Sequence, residues 1–154
     1  MKKTIARLLV VDQNSRSTDI ALLLVRIMVG VSLIYHHGAE KFYNWNTLVG
    51  FHLDPIGIGV GPSVAYAGFA DGICALAVVF GLWTRVASFF TLICLGTVFF
   101  IMEHALSAPL LQPGHGGHGE LVWLYMAGFV VTLVGGPGRF SLDNKFSEFW
   151  RSAK

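Results

Sequence analysis

The sequence predicts an all-helical integral membrane protein, a four-helix bundle with both termini on the cytoplasmic side. Three observations carry this expectation. Apolar residues make up 54% of the 154 and charged ones 13%, about half the charged share usual in soluble domains. Four apolar stretches, 20–36, 63–83, 86–102 and 121–135, approach the roughly 20 residues that cross a hydrocarbon core. The basic residues are distributed unevenly between the loops that join them. Each stretch should be helical, because a chain in lipid has to satisfy its own backbone hydrogen bonds. None alternates polar and apolar residues as a barrel strand would.

Taken in order, the first span follows Lys2, Lys3, Arg7 and Arg16. The apolar run from Ile5 to Val11 is broken by Arg7 and lacks a small-residue cleavage site, so it is read as retained and not as a secretory signal. The second and third spans are joined by a tight turn ending in Arg85, and Arg139, Lys145, Arg151 and Lys154 follow the fourth. Lys41 alone stands on the opposite side. By the positive-inside rule both termini face the cytoplasm, as in a bacterial-type inner membrane, and the first-to-second and third-to-fourth loops face outward. The outer loop 42–62, rich in aromatics, glycine and proline, is expected to fold back on the membrane surface. After Gly135-Gly136-Pro137-Gly138, Ser141 is placed to cap a short helix with Leu142, Phe146, Phe149 and Trp150 at helical spacing. Such a helix suits the membrane interface or a partner. No repeat or linker marks a second domain, so residues 1–154 read as one. The composition makes the lipid bilayer the surrounding, and a net charge of +2 gives no reason to expect nucleic acid.

Charges within spans need partners, since each costs roughly 3 kcal/mol or more in the hydrocarbon. Arg26 and Asp71 are expected to pair, their depths differing by about one helical turn when counted inward from the outer ends. The pair is either a packing and register device or a proton or ligand anchor. Arg26, Gly30, Leu33 and His37 share one helical stripe, which should face the bundle, while His36 turns away. Cys74 and Cys94 count to similar depths on neighbouring spans; both read as small apolar core residues.

All six histidines (His36, His37, His52, His104, His115 and His118) fall on the outer side, with none on the cytoplasmic side. With Glu40, Glu103 and Glu120 they can converge at the outer mouth. Imidazole and carboxylate suit a metal such as zinc, copper or iron, and His36, His37, Glu40, His104, His115, His118 and Glu120 are the candidate ligands. Their spacing matches no specific zinc or di-iron signature. The other reading is a proton relay beside an apolar pocket, with His37, Glu103 and His104 as carriers, serving a quinol or small redox ligand.

His37-Gly38-x-Glu40-Lys41 after the first span, Asp71 followed by Gly81-Leu82-x-Thr84-Arg85, and Gly135-Gly136-Pro137-Gly138-x-x-Ser141-Leu142-Asp143 together resemble the DoxX family of small four-helix membrane proteins. The resemblance implies association with membrane redox systems, including quinone-linked thiosulfate oxidation and terminal oxidase assemblies, often beside another subunit. The expected role is a redox-associated, respiratory-chain-linked subunit acting with partner membrane subunits, or as a homo-oligomer. Its quinone pocket would use Arg26, Gly30, His37 and Asp71. No motif for haem, flavin or iron–sulfur ligation is evident, so electrons would leave through a partner. Independent catalysis is not expected. The alternatives are a purely structural accessory subunit, or a metal-binding or transport protein using the outer His/Glu cluster. The absence of repeat symmetry ranks transport last.

Overall fold

The computed structural model describes residues 16–50, 54–102 and 118–152, without the side chains of 102, 118–119 and 148–152. Among the described residues the regular structure is entirely helical. Helix α1 runs Arg16–Tyr43, α2 Trp45–Gly50, α3 Val60–Phe80 and α4 Thr84–Ile101, α5 His118–Gly135 and α6 Leu142–Ser152. Helices α1, α3 and α4 are long and apolar enough to cross a membrane, and the apolar part of α5, Glu120–Gly135, is shorter.

The packing is that of helices whose surroundings are as apolar as their core. On α1, Arg26, Gly30 and Leu33 are buried, while Leu24, Met28, Val31 and Tyr35 form an exposed apolar stripe on the other face. Exposed apolar side chains at helical spacing suit contact with lipid. Without a hydrophobic force between helices, close approach and polar bonds hold them together. Gly30 lies on Val79 and the Ala75 carbonyl, and Gly128 and Gly135 of α5 receive Val29 and Leu22 of α1. Across the bundle Ser32 and Tyr125 share a hydrogen bond of 2.8 Å, and Ser88 and Thr132 one of 2.7 Å. Thr91 donates to the Ala70 carbonyl at 3.1 Å. Leu33, Val78, Leu95, Val122 and Phe129 belong to the apolar core between these contacts.

At the Arg85 end, a clasp joins segments far apart in sequence. The α3–α4 turn passes through left-handed Gly81 (φ 69) and Trp83 (φ 46). Asp143, at the start of α6, accepts from the Trp83 and Thr84 amides at 2.8 and 3.0 Å and from the Thr84 hydroxyl at 3.2 Å. It therefore caps α4 from outside that helix. Its own amide donates to the Gly81 carbonyl at 2.9 Å. The Ser141 hydroxyl accepts from the Asn144 amide at 3.1 Å, so it caps α6 as the sequence suggests. Asp19 of α1 accepts from the Arg139 amide at 3.0 Å and pairs with its Nε at 3.4 Å. The glycine-rich motif after the fourth apolar stretch and the one around Gly81 are thus two halves of one structural joint. Asp143→Ala, losing three accepted bonds, should destabilise the protein by about 1–2 kcal/mol, read as a lowered midpoint of unfolding in detergent.

Three expectations are corrected here. The first helix does not end at His36: it continues as helix through His37, Glu40 and Lys41 to Tyr43. The polar run resembles a headgroup region in hydropathy, yet Lys41 turns inward to a carboxylate. As a result Arg26 and Asp71 do not pair. Gly38 is the α1 residue opposite Asp71, where an added Cβ would sit 2.6 Å from the Asp71 carbonyl oxygen, and Arg26 lies against Gly81. Arg26 and Gly38 are twelve residues apart, about 18 Å of helical rise. Fully buried Arg26 donates instead to the Phe140 carbonyl at 2.6 Å, close enough to Asp143 to feel its charge. The cysteines are also staggered. Thr91 meets Ala70, so Cys94, three residues nearer the cavity end, and Cys74, four residues nearer the clasp, differ by about 10 Å in depth. That is beyond disulfide reach, and both are free and buried.

Candidate functional site

The three long helices each leave α-helical geometry for a π-helical turn: Ile34–Gly38 in α1 and Val98–Met102 in α4 toward the end opposite the clasp, and Phe69–Cys74 near the middle of α3. Such turns widen the backbone, re-aim the following side chains and recur at functional sites. The first carries His37 and the second Asp71. The α1 and α3 backbones touch between them at Gly38, and the Phe42 ring covers Gly72. Larger residues at either glycine would force the helices apart.

Lys41 Nζ lies 2.9 Å from Asp71 Oδ2, with only 18% and 7% of the two side chains exposed. It also donates to the His37 carbonyl at 2.9 Å. Asp71 Oδ1 is buried and has no hydrogen-bond partner. This ion pair forms the polar wall of a cavity of about 220 Å³, whose apolar walls include Leu33, Val64, Leu95, Val98 and Val122. His37, Tyr66, Cys94 and Tyr125 also line it. The Tyr125 ring stands edge-on to His37, with centroids 6.0 Å apart.

The cavity has a roof made by Leu48 of α2 and by Pro55 and Ile56. Residues on either side of 51–53 here lie over the bundle. The Asp54 carboxylate accepts from the Ile58 and Gly59 amides at 3.1 and 2.8 Å and from the Ser63 hydroxyl at 2.7 Å. Its pKa is lowered, first by the Ser63 bond; desolvation opposes this, and the Gly59, Ile58 and Gly57 amides lower it further. A depressed carboxylate stabilises above its unfolded pKa, about 3.9, and that stabilisation is lost as pH falls through the lower folded value. The roof should therefore hold at neutral and mildly acidic pH and loosen only below about pH 4. Asp54→Ala should loosen it at pH 7, seen as faster amide exchange at 58–63.

Of the candidates named from sequence, His37 and Asp71 meet in this cavity. Arg26 belongs to the clasp, and Gly30 packs on Val79. His36 is exposed beside Tyr35, their rings edge-to-face at 5.1 Å, and Glu40 and Glu120 are exposed. Glu103, His104 and His115, together with His52, lie outside the described residues, as does the His118 side chain. Among the described residues no group of three His, Cys, Asp or Glu side chains is placed to hold a metal. Sequence reasoning missed Lys41 as a site residue. The signal was present: Lys41 is the lone basic residue on its side, one turn from His37, and a semi-buried ammonium calls for an acid. Tyr66 and Tyr125 carried no such signal.

A family model described as DoxX matches residues 21–104, a stretch that includes both Lys41 and Asp71. An uncharacterized protein of Haemophilus influenzae is 30% identical over 125 residues, covering 81% of this chain and 90% of that one. No solved structure matches. With the apolar helices described above, these findings make the chain a membrane protein belonging to the DoxX family.

Proposed function

We propose that this DoxX-family chain is a single four-span domain of a bacterial-type inner membrane that holds a quinone-type ligand in its cavity. It acts as a redox-linked subunit beside a partner that carries the electrons. In this arrangement both termini and the clasp face the cytoplasm, because Arg85, Arg139 and Lys145 gather there. The cavity then opens toward the outer side, where quinol chemistry would release its protons.

The observation that carries the reading is the Lys41–Asp71 pair set into the wall of an otherwise apolar, roofed cavity. Lipophilic ligands bind in apolar clefts where a few polar groups fix their orientation. A cavity of about 150 Å³ admits benzene, so about 220 Å³ accommodates a substituted six-membered ring. Lys41 offers an N–H donor to a ring carbonyl, and His37 stands beside it to exchange a proton. Asp71 compensates the Lys41 charge, so the polar wall suits a neutral ligand and not an anionic one.

Native mass spectrometry of the protein extracted from its own membrane in mild detergent tests this reading. The expected result is a chain retaining a quinone-class lipid and a second subunit. Ala67→Phe, which fills the cavity from α3, should release the quinone without dissociating the subunit. A chain that keeps phospholipid but never quinone contradicts the proposal.

A further inference from the structure

The hydroxyl groups of the cavity wall are all hydrogen-bonded within the protein. Tyr66 donates to the Phe90 carbonyl at 2.9 Å, Ser63 to Asp54 at 2.7 Å, and Thr97 to the Ile93 carbonyl at 3.0 Å. Tyr125 is bonded to Ser32 at 2.8 Å. Lys41 uses two of its three N–H donors on Asp71 Oδ2 and the His37 carbonyl, which leaves one for a ligand. Among the fully buried polar atoms of this wall, the one left without a partner is an acceptor, Asp71 Oδ1, on a residue only 5% exposed; the ring of half-buried His37 also faces the cavity. The Cys94 thiol is within hydrogen-bonding reach of this carboxylate, but a thiol is a weak donor.

A buried ionised oxygen without a partner is costly, and a ligand that brings a donor recovers that cost. Asp71 itself lines the cavity. The terminal torsion of aspartate is soft, so a modest swing of the carboxylate presents Oδ1 to the cavity while Oδ2 keeps Lys41. A second cation is disfavoured there, because Lys41 already neutralises the site. The matching group is a neutral hydroxyl on a lipophilic ring.

We infer that Asp71 Oδ1 accepts a hydrogen bond from a ring hydroxyl of the bound ligand, so that the cavity holds the hydroquinone form in preference to the quinone. This rests on the quinone reading above and adds a choice between its two redox forms. A quinone carbonyl has only lone pairs to offer Oδ1, whereas a hydroquinone donates to Asp71 and still accepts from Lys41. A hydrogen bond to a charged group is worth about 1.5–3 kcal/mol, so the reduced form should bind about tenfold tighter or more. For a two-electron couple, tenfold raises the midpoint potential of the bound ligand by about 30 mV.

The test is equilibrium binding of a decyl-benzoquinone and of its hydroquinone, kept reduced, to the full chain in nanodiscs. The expected result is tighter binding of the hydroquinone, with the preference abolished in Asp71→Asn. If that variant does not fold, Lys41→Met/Asp71→Leu provides the same comparison, and it should bind both forms alike. Equal affinities in the native protein, or tighter binding of the quinone, overturn the inference and leave the quinone reading standing. Binding of neither form overturns both. A preference that persists in the Asp71 variants assigns the selection to another group and also overturns the inference.

Discussion

Asp71→Ala should be the most damaging substitution at the cavity, lowering stability by about 3 kcal/mol, at the lower end of the range for breaking a buried ion pair. Asp71 holds Lys41 at 2.9 Å with 7% of its side chain exposed. Its removal leaves an ammonium in an apolar wall with one backbone carbonyl, that of His37. The Lys41 side chain is 18% exposed, so part of the lost interaction is recovered by water; this favours the low end of the range. The double variant Lys41→Met/Asp71→Leu removes both charges together and should recover most of the loss, because an apolar pair of similar volume avoids the desolvation cost. Reversible unfolding in mixed micelles measures both. A single variant as stable as the native protein, or a double variant no better than the single, would show that the pair does not hold α1 to α3 in this way.

Gly81→Ala should cost about 3 kcal/mol at the other end of the molecule. Two independent effects combine there. Gly81 has φ 69, where a side chain is strained by roughly 1 kcal/mol or more. An added Cβ would also collide with the Arg26 guanidinium and come within 2.5 Å of Ser141 Cβ. Neither neighbour can yield easily: Arg26 is fully buried and tied to Phe140, and Ser141 caps α6. The substitution should therefore loosen α6 as well as lower the unfolding midpoint. Gly96→Ala in α4 is the control, because nothing lies within 4 Å of the new methyl. It should be neutral or raise stability by up to about 1 kcal/mol through helix propensity. Equal effects at the two glycines would contradict the clasp.

Much of the helical framework was legible because lipid imposes simple rules on a sequence. Apolar runs of near-spanning length have to be helical, and Ser141 after a glycine-rich breaker reads as a cap from spacing alone. The end of α1 was not legible, since hydropathy cannot distinguish a polar turn at the headgroups from one whose lysine faces a carboxylate inside the bundle. That misplaced end shifted the depth count and matched Arg26 with Asp71 in place of Lys41. His37 and Asp71 stood out individually as polar residues near apolar runs. Their meeting depends on π-helical turns in α1 and α3, which have no side-chain signature. The roof is equally unwritten in local sequence: Asp54 closes it through bonds to residues up to nine positions away. The Gly81 and Asp143 motifs were visible, but only the folded chain shows that they bind each other.

Photolabelling of the membrane-embedded chain with a short-tailed azido-benzoquinone tests most directly whether the roofed cavity is a ligand site. Labelled peptides should come from Leu33–Lys41, Ser63–Asp71 and Cys94–Val98, and Ala67→Phe should suppress the labelling. Label spread over the outward-facing residues Met28, Val31 and Val134, unchanged by that substitution, would mean that the ring stays in the lipid and that the cavity does not bind it.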